Sequence, residues 1–440
     1  MSNNVTVIRP LAGPLRGTAH VPGDKSISHR SVLFGAMAQG TTRLTGVLDS
    51  ADVRSSMAAV SALGAQVNLE KQPDGSLAGT VSGWGKKGPK QPDGPIDCGN
   101  SGTTVRLLMG VIAPWDIKVE LTGDDSLRRR PMKRITAPLS LMGATFAPAD
   151  QETLPLIEQG TSALAPLSYE SPVASAQLKT AIMLAGIFAK GRTQVVEPAP
   201  SRNHTELMLP QFGVKTQFEP CLAAVEGPQA LVASTVDVPG DPSSAAFPAC
   251  AAVLQPGSLL TLENVSLNPA RIGFARVLQS MGAKVSLQQT GYAGKEPCGN
   301  IVVEYTPDLH GCEVAAEDIA SMVDEIPVLA LVAAHSSGRT VFHDVSELRV
   351  KESDRLAAIL DGLAQLGVKA CAQGDDLVIE GKPGLQAPSG LTFDSLKDHR
   401  LAMTWSLVGM TGGQPVNIVD FESVCISYPT FLQDMRRLSE

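Results

Sequence analysis

Residues 241–257 read DPSSAAFPACAAVLQPG, and the middle of the stretch is apolar in every direction. A surface helix gathers its apolar residues in one stripe at a period near 3.6 and leaves the rest polar. AFPACAAVL has no polar side, so as a helix it must be enclosed by protein. SVLFGAMA (31–38), AIMLAGIFA (181–189) and PVLALVAA (327–334) share this character. The pattern predicts helices on the inside and sheets around them.

Working outward, the stretch opens a unit that is written several times. Asp241-Pro242-Ser243 leads through the apolar run to Gly257, then a strand-like LLTLENV, then ARIGFARVLQSMGA ending at Met281-Gly282-Ala283. Asp24-Lys25-Ser26 leads with the same spacing to Gly40, then TTRLTGV, then a helix-like segment ending at Leu63-Gly64-Ala65. Further copies end at Met142-Gly143-Ala144, Phe212-Gly213-Val214 and Leu366-Gly367-Val368, and a sixth, from near Asp398, fades into FLQDMRRL. The period of roughly 70 to 85 residues is longer than that of ordinary solenoid repeats. Each copy reads as an apolar helix, a glycine turn, a β-branched strand, an amphipathic helix and a further strand after the glycine stop. Three copies per half predict two similar domains, joined at Val238-Pro239-Gly240, which echoes Val21-Pro22-Gly23. If the chain crosses at both turns, the domains are 21–239 and a discontinuous one of 1–20 with 240–440.

Composition narrows the function. The chain has 440 residues, 43% of them hydrophobic, enough for two or three packed domains. A net charge of −8 and 4% aromatic content give no bulk attraction to nucleic acid or anionic membranes and no base-stacking platform. The MSNNVTVIRP start lacks a secretion-signal pattern, and no apolar run nears the ~20 residues of a membrane span, so a cytoplasmic location is expected. The seven cysteines are scattered without a CxxC pair; buried free thiols are expected rather than a zinc cage. No histidine spacing resembles a metal site.

Polar residues collect where the repeats begin: Lys25, Ser26 and Arg30; Asn100 to Thr104; Ser175, Gln177 and Lys179; Asp324 and Glu325; His399 and Arg400. Helix N-termini present unpaired N–H groups and positive partial charge, so several of them together favour an anion. VPGDKSISHR (21–30) is no nucleotide P-loop, because Asp24 rather than glycine precedes Lys25. Ser, Thr and Asn are also ordinary N-caps, which leaves a purely structural reading of each start open. More base sits in RRRP (128–131), SRNHTE (201–206) and LRVKESDR (348–355), the last of which also reads as a solvated helix start laced by i, i+4 pairs.

PGDKSISHR, GNSGTT, RRRPM, SAQLKTA, SRNHTE, PGDPSSAAFP, DEIPVLA, LRVKESDR and DHRLAM, in this order and over nearly the whole chain, resemble the 5-enolpyruvylshikimate-3-phosphate synthases. SAQLK and SRNHTE are closer to the branch with naturally herbicide-tolerant bacterial enzymes. The resemblance implies an α/β fold of two inside-out (alpha/beta prism) domains, each of three βαβαββ repeats with helices inside, closing on substrates in the cleft between them. It implies transfer of the enolpyruvyl group of phosphoenolpyruvate to the 5-hydroxyl of shikimate 3-phosphate, with release of phosphate, no cofactor or metal, a monomer, and glyphosate as inhibitor.

Residue by residue, the resemblance puts Lys25 between the two substrates, Ser26 and Arg30 at the shikimate ring and carboxylate, and Ser175 and Ala176 with Arg202 at the 3-phosphate. Gln177 bridges both ligands. Asn100, Gly102, Arg130, Arg355 and Arg400 surround phosphoenolpyruvate, with Lys351 nearby. Asp324 is the expected base at the hydroxyl and Glu352 the proton carrier at the methylene carbon, with Lys25 sharing charge, and the spacing leaves the division of steps between them open. One departure stands out: Cys425 to Pro429 lacks the lysine that some members carry in that loop. Of the other readings, a UDP-amino-sugar enolpyruvyl transferase is disfavoured because GDDSLRRRP has no cysteine. A noncatalytic anion binder is disfavoured because Asp324 and Glu352 would repel the anion. An RNA 3'-phosphate cyclase is disfavoured by charge and aromatic content.

Overall fold

A computed structural model describes residues 4–440, so residues 1–3 of the expected 1–20 segment lie outside the described residues. The chain forms two compact units. The N-terminal unit is Gly23–Val238 with Ala293–Glu296; the C-terminal unit is the described chain up to Pro22 with Pro239–Tyr292 and Pro297–Glu440. Each unit has its own hydrophobic core.

In the N-terminal unit three four-stranded sheets repeat one strand order. Ile96–Asp97, Lys118–Thr122, Leu156–Gln159 and Thr145–Ala147 form one; Ser168–Glu170, Gly191–Val196, Leu222–Gly227 and Thr216–Glu219 form the next. The third, Thr235–Asp237, Thr41–Val47, Leu77–Ser82 and Gln66–Lys71, takes its leading strand from the far end of the unit. In every case the first pair is parallel and the others antiparallel. One face of each sheet meets water: along Thr41–Val47 the side chains of Thr42, Leu44 and Val47 are buried while Thr41 and Arg43 are exposed.

The C-terminal unit follows the same plan. Arg16–His20 leads a sheet with Leu259–Ser266, Glu296–Glu304 and Lys284–Ala293, and Glu313–Val314 leads Arg339–Phe342, Asp376–Glu380 and Lys369–Gln373. The sixth copy, which fades in the sequence, is a three-stranded sheet of Thr392–Asp394, Val416–Val419 and Val5–Ile8. Its last strand is borrowed from near the N-terminus, so no local pattern after Val419 could reveal it.

The apolar runs are the inner helices. All nine residues of Ile326–Ala334 are buried, as are Pro242 to Val253 and Ile27 to Met37. Close packing needs small residues at crossings: a Cβ on Gly110 would lie 2.3 Å from the Ala181 carbonyl oxygen of the neighbouring inner helix. Gly83, Gly160, Gly227 and Gly381 occupy one equivalent position, at or just past the end of a strand and against the end of an inner helix. A Cβ there would sit 2.2 to 2.4 Å from a backbone carbonyl oxygen.

All seven cysteines are free thiols, but the expected burial holds only in part: Cys98, Cys250 and Cys298 are buried, Cys221 and Cys312 half-buried, and Cys371 and Cys425 exposed. Burial raises the Cys98 thiol to about 12, which makes it inert at neutral pH.

Candidate active site

The polar residues at the repeat starts first serve the helices themselves. Asp24 Oδ1 accepts the Ile27 N–H at 2.8 Å, Ser101 Oγ that of Thr104 at 3.1 Å and Ser175 Oγ that of Leu178 at 3.4 Å. Asp241 and Asp398 cap their helices in the same way. Capping therefore accounts for these side chains as the structural reading allowed, yet a serine that accepts an N–H keeps its own O–H to donate.

In the N-terminal unit the expected residues lie in linked clusters. Lys25, at the first position of the Lys25–Met37 helix, is ion-paired with Asp52 in the first turn of the Ala51–Ala62 helix. Asn100 joins two segments: its Nδ2 donates to Asp124 Oδ2 at 2.7 Å and its Oδ1 accepts from Arg130 Nη2 at 2.8 Å. Gly102 opens the next inner helix, and a Cβ on it would meet the Nη1 atoms of Arg106 and Arg130, each at 3.3 Å. Gln177 accepts from Arg106 Nη1 at 2.7 Å and donates to Thr103 Oγ1 at 3.0 Å. Arg106, one turn into its helix, thus bonds the expected site residue Gln177 directly and lies where a side chain on Gly102 would reach. It was not singled out in the sequence, although its position one turn after Gly102 was a usable signal.

Arg30 is 3% exposed, and its guanidinium donates to Thr205 Oγ1 at 2.8 Å, Thr180 Oγ1 at 2.9 Å and the Ser26 carbonyl at 3.0 Å. This packing fixes its plane and leaves less of the fork for a substrate than the sequence suggested. Lys179 is a plainer case. At 4% side-chain exposure its ammonium sits 2.8 Å from both Glu197 and Glu206, so it is held inside the unit rather than offered to a ligand. Burial lowers its proton affinity, but the two carboxylates outweigh burial and raise it.

The C-terminal unit holds the carboxylates. Arg355 is 1% exposed; its Nε donates to Asp398 Oδ2 at 2.8 Å, its Nη1 to Asp324 Oδ1 at 3.0 Å and its Nη2 to Glu352 Oε2 at 2.7 Å. The two expected proton-transfer carboxylates and an expected phosphoenolpyruvate arginine are therefore one constellation. Burial disfavours the Arg355 cation, but Asp398, Glu352 and Asp324 more than reverse this and raise its proton affinity. Asp398, absent from the sequence-derived site, organises it further: the same carboxylate accepts the Arg400 backbone N–H at 2.9 Å and the Ser353 hydroxyl at 3.1 Å.

Arg400 is 5% exposed, with its guanidinium carbon 5.8 Å from the centre of the Phe247 ring. Its Nε and Nη1 are buried without a hydrogen-bond partner among the described residues. Lys351 pairs with Glu347 at 3.0 Å, the i, i+4 contact expected of a solvated start, but Arg355 in the same segment is buried, so that reading holds for only part of it. Of the remaining expected residues, Ser26, Ala176 and Arg202 are half-buried. Among the described residues no three His, Cys, Asp or Glu side chains are grouped to hold a metal ion.

Known proteins resemble the chain over nearly its whole length. The family profile described as EPSP synthase (3-phosphoshikimate 1-carboxyvinyltransferase) matches residues 11–435. A 3-phosphoshikimate 1-carboxyvinyltransferase of Acidiphilium cryptum is 46% identical over 432 residues, covering 97% of this chain and 95% of the relative. One from Brevibacillus brevis is 42% identical over 430 residues, covering 98% and 99%. Among solved structures, EPSP synthase from Acinetobacter baumannii superposes with a TM-score of 0.88 at 38% identity, covering 99% of this chain and 98% of that one. The enolpyruvyl transferase NikO from Streptomyces tendae, at 16% identity and a TM-score of 0.77, shares the fold. With its full-length match and its Asp324, Glu352 and Arg355 constellation, the chain belongs to the EPSP synthase (3-phosphoshikimate 1-carboxyvinyltransferase) family.

Proposed function

We propose that the protein transfers the enolpyruvyl group of phosphoenolpyruvate to the 5-hydroxyl of shikimate 3-phosphate and releases phosphate. The observation that carries this reading is Arg400, a buried guanidinium with two nitrogens, Nε and Nη1, that lack partners among the described residues. An unsatisfied buried donor costs about 1 to 3 kcal/mol, more when charged, so the site favours anionic oxygens as acceptors for these nitrogens.

The carboxylates supply what an anion-binding protein would not need. Protonation of the phosphoenolpyruvate methylene carbon and deprotonation of the attacking hydroxyl require an acid and a base, and Glu352 and Asp324 are the candidates. Arg355 holds both and so fixes where each proton leaves and arrives. In the N-terminal unit, Lys25 shares the proton and charge transfer, Asn100, Gly102 and Arg130 serve phosphoenolpyruvate, and Ser175, Ala176 and Arg202 receive the 3-phosphate. Ser26 and Arg30 serve the ring and its carboxylate, and Gln177 serves both ligands. Lys351 adds positive charge near phosphoenolpyruvate. The enzyme is read as a cytoplasmic monomer that binds glyphosate in place of phosphoenolpyruvate.

The test is phosphate release with phosphoenolpyruvate and shikimate 3-phosphate, set beside the same assay with UDP-N-acetylglucosamine as acceptor. Turnover is expected with the first acceptor alone, and Lys25→Met is expected to abolish it while the urea midpoint stays near that of the parent. Turnover with the UDP-sugar, or undiminished turnover in the variant, would overturn the reading.

A further inference from the structure

Glu197 follows directly on the strand Gly191–Val196, and its side chain is 1% exposed. Three donors converge on its two oxygens. The Ser175 backbone N–H donates to Oε1 at 2.8 Å, while the Ser201 hydroxyl and the Lys179 ammonium donate to Oε2, each at 2.8 Å. A carboxylate at this depth is tolerable only with a buried counter-charge and satisfied lone pairs, and Lys179 with these two serines provides both. Lys179 lies one turn into the helix that Ser175 caps, so the anchored serine and the counter-charge belong to the same inner helix.

The consequence is a mechanical link between distant pieces of chain. Ser175 and Ser201 are far apart in sequence, yet both are pinned to one carboxylate, and Ser201 is directly followed by Arg202. We propose that Glu197, paired with Lys179 at 2.8 Å, is the positioning residue of the 3-phosphate subsite. It fixes the separation between the Ser175 hydroxyl and the Arg202 segment, so that both meet one phosphate. The inference rests on the reading that Ser175 and Arg202 receive that phosphate. It gives Lys179, which does not face the ligand, a role in binding all the same. Sites that grip an anion lose much of their affinity when supporting groups let the donors drift by about 0.5 Å.

Glu197→Gln keeps the shape but turns one acceptor oxygen into an N–H2 that opposes either the Lys179 ammonium or the incoming serine proton. The KM for shikimate 3-phosphate is expected to rise about tenfold or more, with the KM for phosphoenolpyruvate within about twofold and kcat within about threefold of the parent. Glu206→Gln is the control. It removes the other carboxylate on Lys179, which touches neither Ser175 nor Ser201, and is expected to lower the urea midpoint while leaving both KM values in place. A merely structural role for Glu197 would make the two variants alike in KM, and that result overturns the proposal. If Glu197→Gln does not fold, Ser201→Ala removes a single bond to the same carboxylate. Its KM for shikimate 3-phosphate should rise about two- to fivefold, and an unchanged value is again fatal. Ser175→Ala separates the layers. If it leaves the KM for shikimate 3-phosphate unchanged, the phosphate assignment itself fails; if it raises it while Glu197→Gln does not, only the positioning role fails.

Discussion

Replacing Arg355 by lysine is the sharpest perturbation available in the carboxylate cluster. The guanidinium reaches Asp398, Asp324 and Glu352 through three different nitrogens at 2.7 to 3.0 Å, and a single ammonium cannot reproduce that fork. A lysine that reaches toward Asp398, the fully buried partner, gives up the other two bonds. Each charge-assisted bond is worth about 1.5 to 3 kcal/mol, so the loss is about 3 to 6 kcal/mol in the arrangement of Asp324 and Glu352. At about 1.4 kcal/mol per factor of ten, kcat/KM for phosphate release should fall by roughly a hundredfold to ten-thousandfold. The fold should suffer less, because Glu352 is a third exposed and Asp324 a fifth, and water can take over much of what each loses. Arg355→Met goes further. It leaves Asp398 buried without its counter-charge, at a cost of about 3 to 5 kcal/mol in a urea titration. Adding Asp398→Asn to that variant should return more than half of the stability and none of the activity. An Arg355→Lys enzyme within about fivefold of the parent in kcat/KM, or an Arg355→Met midpoint that does not move, would refute the view that this arginine organises the two carboxylates.

Two further outcomes are expected. Gly102→Ala places a methyl 3.3 Å from the guanidinium ends of Arg106 and Arg130, so glyphosate inhibition should weaken by about tenfold or more, with a smaller rise in the KM for phosphoenolpyruvate; equal inhibition constants for the two proteins reject this. His29 is fully buried, and burial, only partly offset by Asp52, pushes its pKa from 6.5 down to about 3, so it is neutral in the folded protein. A depressed folded value gives stability that is present above about pH 6.5 and lost as the pH falls toward 3, at up to about 1.4 kcal/mol per pH unit. Urea midpoints from pH 8 to 5 should therefore decline less steeply in His29→Asn, and identical acid limbs would dismiss the assignment.

The fold was readable because its deciding signals are local. An inner helix declares itself by having no polar side, as in PVLALVAA, and a cap by a short polar residue before it, as at Ser101. The sixth sheet was not readable, since its closing strand Val5–Ile8 comes from the opposite end of the chain. Gly83, Gly160, Gly227 and Gly381 were equally hidden. Their shared meaning is an approach to a helix-end carbonyl, and a glycine in a turn looks the same in sequence. Glu158 shows the converse. It occupies a strand position like any solvent-facing carboxylate, yet it is fully buried, and burial alone raises its pKa so that it is held protonated more readily than a surface glutamate.

The same distinction explains which site residues the sequence could and could not assign. Lys179 and Arg400 are both cations near the start of an inner helix, and residue type gives no reason to treat them differently. Their partners do. Two buried carboxylates from later segments, Glu197 and Glu206, meet the Lys179 ammonium, whereas Arg400 keeps two buried nitrogens without a protein partner among the described residues. Glu197 and Glu206 neutralise Lys179 inside its own unit, whereas Arg400, left short of acceptors among the described residues, favours an incoming anion. That balance is set by residues distant in the chain, as Asp398 is to Arg355 across 43 positions. It becomes visible only when the repeats are folded against one another.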